Sequence, residues 1–372
     1  MPAPGGRRVA MAGEKDRDGM SQTMKALVLR GPNDLLVARV PAPVPRPGEC
    51  VVRVGACGIC GSDLRYLAGE NPWAKHTLGY EKPNPPNMIL GHEIGGHVDG
   101  VPVAVMAFKA CGRCPECRRG LESLCANTAH LGHGAGWVGR EYNPGGMAEL
   151  CPAWEEHVFE LPEGCSCVEG TFLDGLAVAV HAVRLAGPRV GATALIVGAG
   201  PIGLLIMQTW KALGGGACWV VDVYDVALEC ARELGADHVR KCTPGSLEAV
   251  ARDVLSQTQG RGVDCAFETV GTQDTQAAAL HGVGRGGCLM LMAGVAEGLA
   301  LAPNSLAGER RITTSSNHLY SEYQMAVELL AAGRVRVGPM VSHRFPLDEA
   351  PRAFEVAANK PQHGALKVVI EP

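Results

Sequence analysis

The apolar and polar positions of this chain follow one pattern up to about residue 190 and another beyond it. From Met24, where KALVL opens a first strand, to about Val54, short apolar runs are broken by Pro-rich turns such as PAPVPRPGE. That pattern predicts a small β-rich domain. VVRVGACGICGSDLRYL then reads as a strand, a Gly/Cys turn and a short helical start at Ser62-Asp63. Residues 67–90 carry Trp73, His76, Tyr80 and the prolines Pro72, Pro83, Pro85 and Pro86, and predict a long irregular loop of the kind that is often functional. A further strand region starts at 91–98, a cysteine-rich stretch follows, and another β region runs to about Pro162. A helix from about Leu173 to Leu185 leads into the second half.

From Thr193 onward strand and helix patterns alternate. The predicted order is strand Ala194–Val197, helix 201–213, strand Cys218–Asp222, helix 225–234, a short strand near His238–Val239 and a helix around 246–257. Strand Val263–Phe267, helix 273–281, strand Gly287–Met292 and a strand near Ile312–Ser315 complete the series. This rhythm predicts an α/β domain, an open parallel sheet with helices on both faces. The chain then gives a helix (Ser321–Ala332), a strand near Val341–Phe345, a helix (Leu347–Ala358) and a last strand (Ala365–Ile370). These closing elements are expected to rejoin the first domain, which would make it discontinuous.

Length and composition narrow the class. A chain of 372 residues suffices for about two domains. Residues 1–23 are rich in Pro, Gly and mixed charge and are expected to form a disordered arm. They lack the apolar core of a secretory signal, and no apolar run reaches membrane-spanning length, so a cytoplasmic protein without a membrane partner is expected. The net charge of −4 gives no support for nucleic-acid binding. In that setting the fifteen cysteines read as thiols or metal ligands rather than disulfides.

Three constellations carry chemistry. The first is Gly198, Gly200 and Gly203 in GAGPIG, set between a buried strand and a helix, with Asp222 closing the next strand 19 residues beyond Gly203. In that setting G-x-G-x-x-G points to a dinucleotide, with phosphates at the helix N-terminus and the acid on the ribose. The second is Cys111, Cys114, Cys117 and Cys125, spaced C-x2-C-x2-C-x7-C. Four thiolates so close in sequence can enclose one tetrahedral zinc with no open position. An iron–sulfur cluster is the alternative, but the x7 gap and the missing C-P ending do not match a ferredoxin run. The third is Cys60 with the pair His92-Glu93, flanked by Gly58, Gly61 and Gly91. It suits an open zinc site, for which Asp174 is a candidate third ligand and Ser62 a hydroxyl beside the substrate oxygen. His97, His130, His133, His157 and His181 are read as structural or solvated, and His76 stands between a structural role and a substrate contact.

GICGSD, GHE, the four-cysteine lobe and GAGPIG, in one order, resemble the zinc-dependent medium-chain alcohol and polyol dehydrogenases, including sorbitol and threonine dehydrogenase-like members. The likeness runs from Met24 to the C-terminus. It implies a GroES-like catalytic domain over 24–175 and 318–372, a Rossmann domain over 176–317, and a cleft between them. It further implies a catalytic zinc on Cys60 and His92 with Glu93 beside or on the metal, a structural zinc on the four cysteines, and NAD. The cofactor contacts would be Gly198, Gly200, Pro201, Ile202, Gly203, Asp222, Ala293, Gly294, Val295 and Ser315. The implied reaction interconverts a small secondary alcohol, polyol or cyclitol and its ketone in a homo-oligomer, a dimer or tetramer. The rival readings are a zinc-free quinone or enoyl reductase on the same fold, and a nucleotide-binding protein without catalysis.

The chain departs from these relatives in several places. Asp174 stands where polyol-type members carry Glu. Ala227 replaces an Arg common after the ribose-binding acid. Arg65 replaces a His that ends a proton relay. The Cys60–His92 segment is longer than usual and His92–Cys111 shorter. Arg65 cannot act as a base, so it is expected to bind a substrate oxygen instead.

Overall fold

The computed structural model describes residues 23–136, 139–243, 246–293, 301 and 304–372. Two compact units divide the chain, one holding 23–174, Leu319–Ala331 and Val341–Pro372, the other Gly175–His318 and Ala332–Met340. The stretch 332–340 therefore clusters with the second unit, where the sequence pattern placed it with the first. One reason is local: Arg336 N donates to Gln208 Oε1 (2.8 Å), and Gln208 Nε2 donates back to Arg336 O (3.0 Å).

In the first unit the alternating runs form, among the described residues, a three-stranded and a seven-stranded antiparallel-rich sheet and a two-stranded ladder of Phe108–Lys109 with Ala129–His130. Thr23–Gly31 pairs on one side with Asp34–Pro41 and on the other with Met88–Ile89. The seven-stranded sheet runs Val158–Glu160, Val101–Val105, Glu93–Val98, Glu49–Gly58, Lys367–Glu371 and Val341–Pro346, with Leu150–Trp154 also paired to Glu49–Gly58. Leu27, Val52, Tyr66, Ile94, Val103, Phe354 and Ile370 fill the core this sheet encloses. Its register decides the chemistry. Gly58 lies opposite both Glu93 and Val369, so the end of one strand, the start of a second and a third from the C-terminus meet at one place.

The second unit is a six-stranded, wholly parallel sheet. Its spatial order is His238–Lys241, Cys218–Asp222, Ala194–Val197, Val263–Glu268, Val283–Leu291 and Arg311–Thr314. The chain starts in the middle, runs to one edge and returns to build the other, the doubly wound order of a Rossmann domain. Its strands are apolar on both faces, as burial on two sides requires; Ala194 to Val197 are all buried. Helices Pro201–Ala212, Asp225–Glu233, Leu247–Gln257 and Gln273–Gly282 lie within a residue or so of their expected places.

Strand Val283–Leu291 begins earlier than the apolar run suggests, because glycines 284, 286 and 287 hid its first half. The irregular stretch 67–90 contains one short π-helical turn, Ala74–Leu78, and the edge strand Met88–Ile89. Thr23, expected at the end of a disordered arm, opens the first strand, and the rest of that arm lies outside the described residues.

Candidate functional site

Cys60 ends the turn after strand Glu49–Gly58 and caps the helix Gly61–Leu67. Its backbone N–H donates to Asp63 Oδ2 (2.8 Å), the acid one turn into that helix. Asp63 is fully buried; its Oδ1 accepts from Gly91 N (3.3 Å) and lies 3.9 Å from His92 Nδ1. One carboxylate thus ties the cysteine's helix to the strand that carries the histidine. Burial pushes the Asp63 carboxyl up to about 6, against the pull of His92 and the Cys60 N–H. Asp63 lies within GICGSD, and the local signal for its role is an acid at the third position of a short helix.

Cys60, His92 and Glu93 each bring a ligand atom within 4.8 Å of the others. Burial would drive His92 down, yet a hydrogen bond to Cys60 and the charges of Cys60, Asp63 and Asp174 lift it to about 10. A field that holds a proton this strongly suits a divalent cation among a thiolate, an imidazole and a carboxylate, so the donor set fits zinc. Asp174 falls outside the 4.8 Å set found among the described residues, although its charge reaches His92. It heads the helix Leu173–Ala186 and acts at longer range than the ligand role expected of it.

Glu93 does not face the site alone. Its Oε2 pairs with Lys367 Nζ, both side chains buried, and the ammonium sits 5.6 Å over the Phe172 ring. Burial would lower Lys367, but Glu93 and Cys60 outweigh it and keep the lysine charged. A buried ammonium balances part of the negative charge that Cys60, Asp63 and Glu93 gather here. Lys367 escaped sequence reading because it lies 274 residues from Glu93 and carries no local motif.

The four lobe cysteines also bring one sulfur each within 4.8 Å of the rest. Their Sγ separations include 3.3 Å (Cys114–Cys117), 3.9 Å (Cys114–Cys125) and 4.0 Å (Cys111–Cys117). Ligands at about 2.3 Å from a tetrahedral zinc stand roughly 3.8 Å apart, so the set fits a closed site. The N–H groups of Arg113 and Cys114 lower the Cys111 thiol to about 6, while, against the pull of the Cys117 N–H, burial and the Cys117 side chain push Cys114 up to about 12, so the close-set thiols titrate apart. All fifteen cysteines are free.

Arg65, expected to bind a substrate oxygen, has partners of its own in the structure. Its Nε and Nη2 both donate to Glu70 Oε2 (2.9 and 2.7 Å), and Nη1 lies 3.3 Å from His76 Nε2. The Nε–Nη2 edge of the guanidinium is held by Glu70, and of its five N–H groups these contacts use three. An arginine can only donate, so the His76 lone pair is spent on it too. Burial, then Arg65 and Lys75, lower His76 below its usual value. Ser62, on the same helix as Arg65, keeps a buried Oγ that no described residue partners.

In the second unit the glycine turn is sterically compelled. Gly198 has φ +99°, and a Cβ on Gly203 would fall 1.9 Å from Gly198 O. A Cβ on Gly200 would meet nothing within 4 Å, which leaves that backbone open beside the first turn of the Pro201–Ala212 helix, where Ile202 also lies. Asp222 ends its strand with Oδ2 accepting from Ala199 N (2.6 Å) and Oδ1 from Val223 N and Tyr224 N (2.7 and 3.0 Å). Those three amides fix the carboxylate and leave about one of its four acceptor directions for a ligand. Ala293 and Ser315 follow the C-terminal ends of parallel strands, and Ser315 Oγ is buried with no described partner. Gly294 and Val295 lie outside the described residues.

A GroES-like unit with a Cys/His/Glu centre and a four-cysteine lobe, together with a Rossmann unit, defines a two-domain zinc dehydrogenase. Residues 46–163 match the alcohol dehydrogenase GroES-like domain and 201–332 the zinc-binding dehydrogenase family. Human sorbitol dehydrogenase is 30% identical over 338 residues, 89% of this chain and 91% of its own. Among solved structures, a Sinorhizobium meliloti protein described as a zinc-binding dehydrogenase, bound to NADP, superposes with a TM-score of 0.81 at 29% identity, covering 95% of this chain and 100% of that one. L-idonate 5-dehydrogenase of Escherichia coli gives 0.79 at 26% identity, covering 94% and 98%. The chain belongs to the zinc-dependent medium-chain alcohol and polyol dehydrogenases. Among its described residues no helix is long and apolar enough to cross a membrane.

Proposed function

We propose that this chain is an NAD-dependent dehydrogenase of secondary alcohols, polyols or cyclitols that holds two zinc ions, one at Cys60, His92 and Glu93 and one at the four lobe cysteines. The observation that carries this reading is the Cys60–His92–Glu93 set, three ligands that would leave the fourth position of a tetrahedral zinc for substrate, backed by Asp63 and Lys367. When bound, zinc polarises the substrate oxygen and the nicotinamide accepts the hydride. A panel of secondary alcohols and polyols assayed with NAD and NADP side by side, with elemental analysis, tests it. Absence of zinc, or of turnover across the panel, would overturn it. By analogy with relatives the enzyme is a cytoplasmic homo-oligomer, which sedimentation would check.

The chain's own part in the proton path centres on Ser62. Its hydroxyl can take the substrate proton while giving up its own, so it never has to hold a charge. Arg65 cannot receive that proton, and His76, flanked by two cations with its lone pair on Arg65, is a poor acceptor. The proton therefore leaves to water. Ser62→Ala is expected to lower kcat about 10²-fold, the usual scale for lost acid–base help. His76→Gln is expected to change kcat less than about threefold. A loss at His76 equal to that at Ser62 would make the imidazole the acceptor after all.

Asp222 supports NAD over NADP. A carboxylate at this strand end accepts from ribose hydroxyls and repels a 2′-phosphate, and Ala227 supplies no cation to relieve the repulsion. Hydrogen bonds to a charged group contribute about 1.5–3 kcal/mol, roughly a ten- to hundredfold preference. Asp222→Ala should erase most of that ratio of kcat/KM. A higher kcat/KM with NADP in the unsubstituted enzyme would refute the assignment.

A further inference from the structure

His133, whose sequence context predicts a structural or solvated histidine, sits on the loop after the strand Ala129–His130. The structure presses this loop against the backbone of Gly91, beside the candidate ligand His92. A Cβ on Gly132 (φ +64°) would fall 2.3 to 2.8 Å from the backbone of Gly91, the residue before His92, so only glycine allows the approach. As a result the His133 ring lies edge-on to His92, centroids 4.4 Å apart at 67°, while stacking on His130 at 3.8 Å and tilting against Tyr66 at 5.1 Å.

A histidine packed so tightly should spend its ring nitrogens on neighbours, as His130 does through Nδ1 on Leu131 O (2.8 Å). His133 does not: both nitrogens are buried, and no described residue bonds either one. Nearby polar atoms share this condition. Nδ2 of the buried Asn71, whose Oδ1 accepts from the Tyr66 hydroxyl (3.4 Å), is unpartnered, and so is Ser62 Oγ, two residues along the chain from Cys60. The Tyr66 oxygen in turn accepts from Gly134 N, the residue after His133 (3.2 Å). Unpaired donors and acceptors gathered beside a ligand histidine describe a site that a hydroxyl-rich molecule would complete. An aliphatic chain would leave them all unpaired.

We propose that His133 is a specificity-determining residue whose free ring nitrogens hydrogen-bond a second hydroxyl of the substrate, so that the site selects vicinal diols and polyols over simple secondary alcohols. This rests on the dehydrogenase reading of the same site. Neutral imidazole offers one donor and one acceptor, the pair a hydroxyl needs. A ring 4.4 Å from that of His92 is within the span of a hydroxyl neighbouring the reacting one.

The test compares 2,3-butanediol with 2-butanol. For His133→Phe, which keeps a ring in the stack, kcat/KM for the diol should fall about tenfold or more relative to that for 2-butanol, the scale of one lost hydrogen bond. Equal losses on both alcohols would mean that His133 only supports His92, and would overturn the proposal. A second measurement needs no substitution. In the zinc-loaded protein the ¹⁵N shifts of the His133 ring should move on adding 2,3-butanediol and stay put on adding 2-butanol. Identical shifts, or none, overturn the proposal even if the variant fails to fold. Lack of turnover on both alcohols would instead overturn the dehydrogenase reading, and the ring shifts would then decide His133 by themselves.

Discussion

Cys60→Ser is expected to abolish measurable turnover, with kcat/KM down by about 10³-fold or more, while the protein stays folded. The thiolate is the soft donor of the open set, and a serine hydroxyl does not ionise in its place. Lewis-acid stabilisation is worth several kcal/mol, and each 1.36 kcal/mol is a factor of ten in rate. The fold should tolerate the change because Cys60 lies in a turn and is only partly buried, outside the cluster that forms the core. Elemental analysis should show one zinc lost and one kept, with NAD binding retained. Retention of wild-type kcat, or loss of the far-UV signal of the fold, would remove Cys60 from this role.

Cys114→Ser should do the opposite, taking away stability first. The lobe holds one short helix, Pro115–Arg118, and one 3₁₀ turn, Glu122–Leu124, and neither contributes a buried residue. With so little apolar surface to bury, the lobe is expected to depend on its four sulfurs sharing an ion. Structural zinc sites in small domains contribute about 10–16 kcal/mol of folding free energy. A quarter of that, about 2.5–4 kcal/mol, corresponds to a fall in Tm of roughly 3–5 °C for a chain of 372 residues. The variant should lose one zinc and be cut early by proteases within 111–125. Iron in the purified protein, or an unchanged Tm together with full metal content, would refute the assignment. The two substitutions together separate the roles, since one removes chemistry at constant fold and the other removes stability.

Local order carried most of the architecture. The strand–turn–helix at Ala194–Ala212 was legible because burial on two faces demands a continuous apolar run, and because the steric needs of Gly198 and Gly203 permit no other residue. The four-cysteine lobe was legible for the same reason: its ligands lie so close in sequence that spacing alone implies proximity. Cys60 and His92-Glu93 could be named as chemical types, but nothing local joins them. What brings them together is the register that sets Gly58 opposite Glu93, a consequence of strand pairing across the first unit.

Tertiary structure alone settled the surroundings of those residues. Lys367 reaches Glu93 only because the C-terminal strand docks beside Glu49–Gly58. Arg65, expected to contact substrate, became the partner of Glu70 and His76 once the irregular loop folded back on the helix. His133, one of several histidines without a motif, came to rest against His92 because Gly132 lets two backbones touch. The division follows from range. Periodicity and glycine sterics act over a few residues and are written into the sequence. Which buried charge or orphaned nitrogen faces which ligand depends on contacts hundreds of residues apart, and only the packed chain decides those.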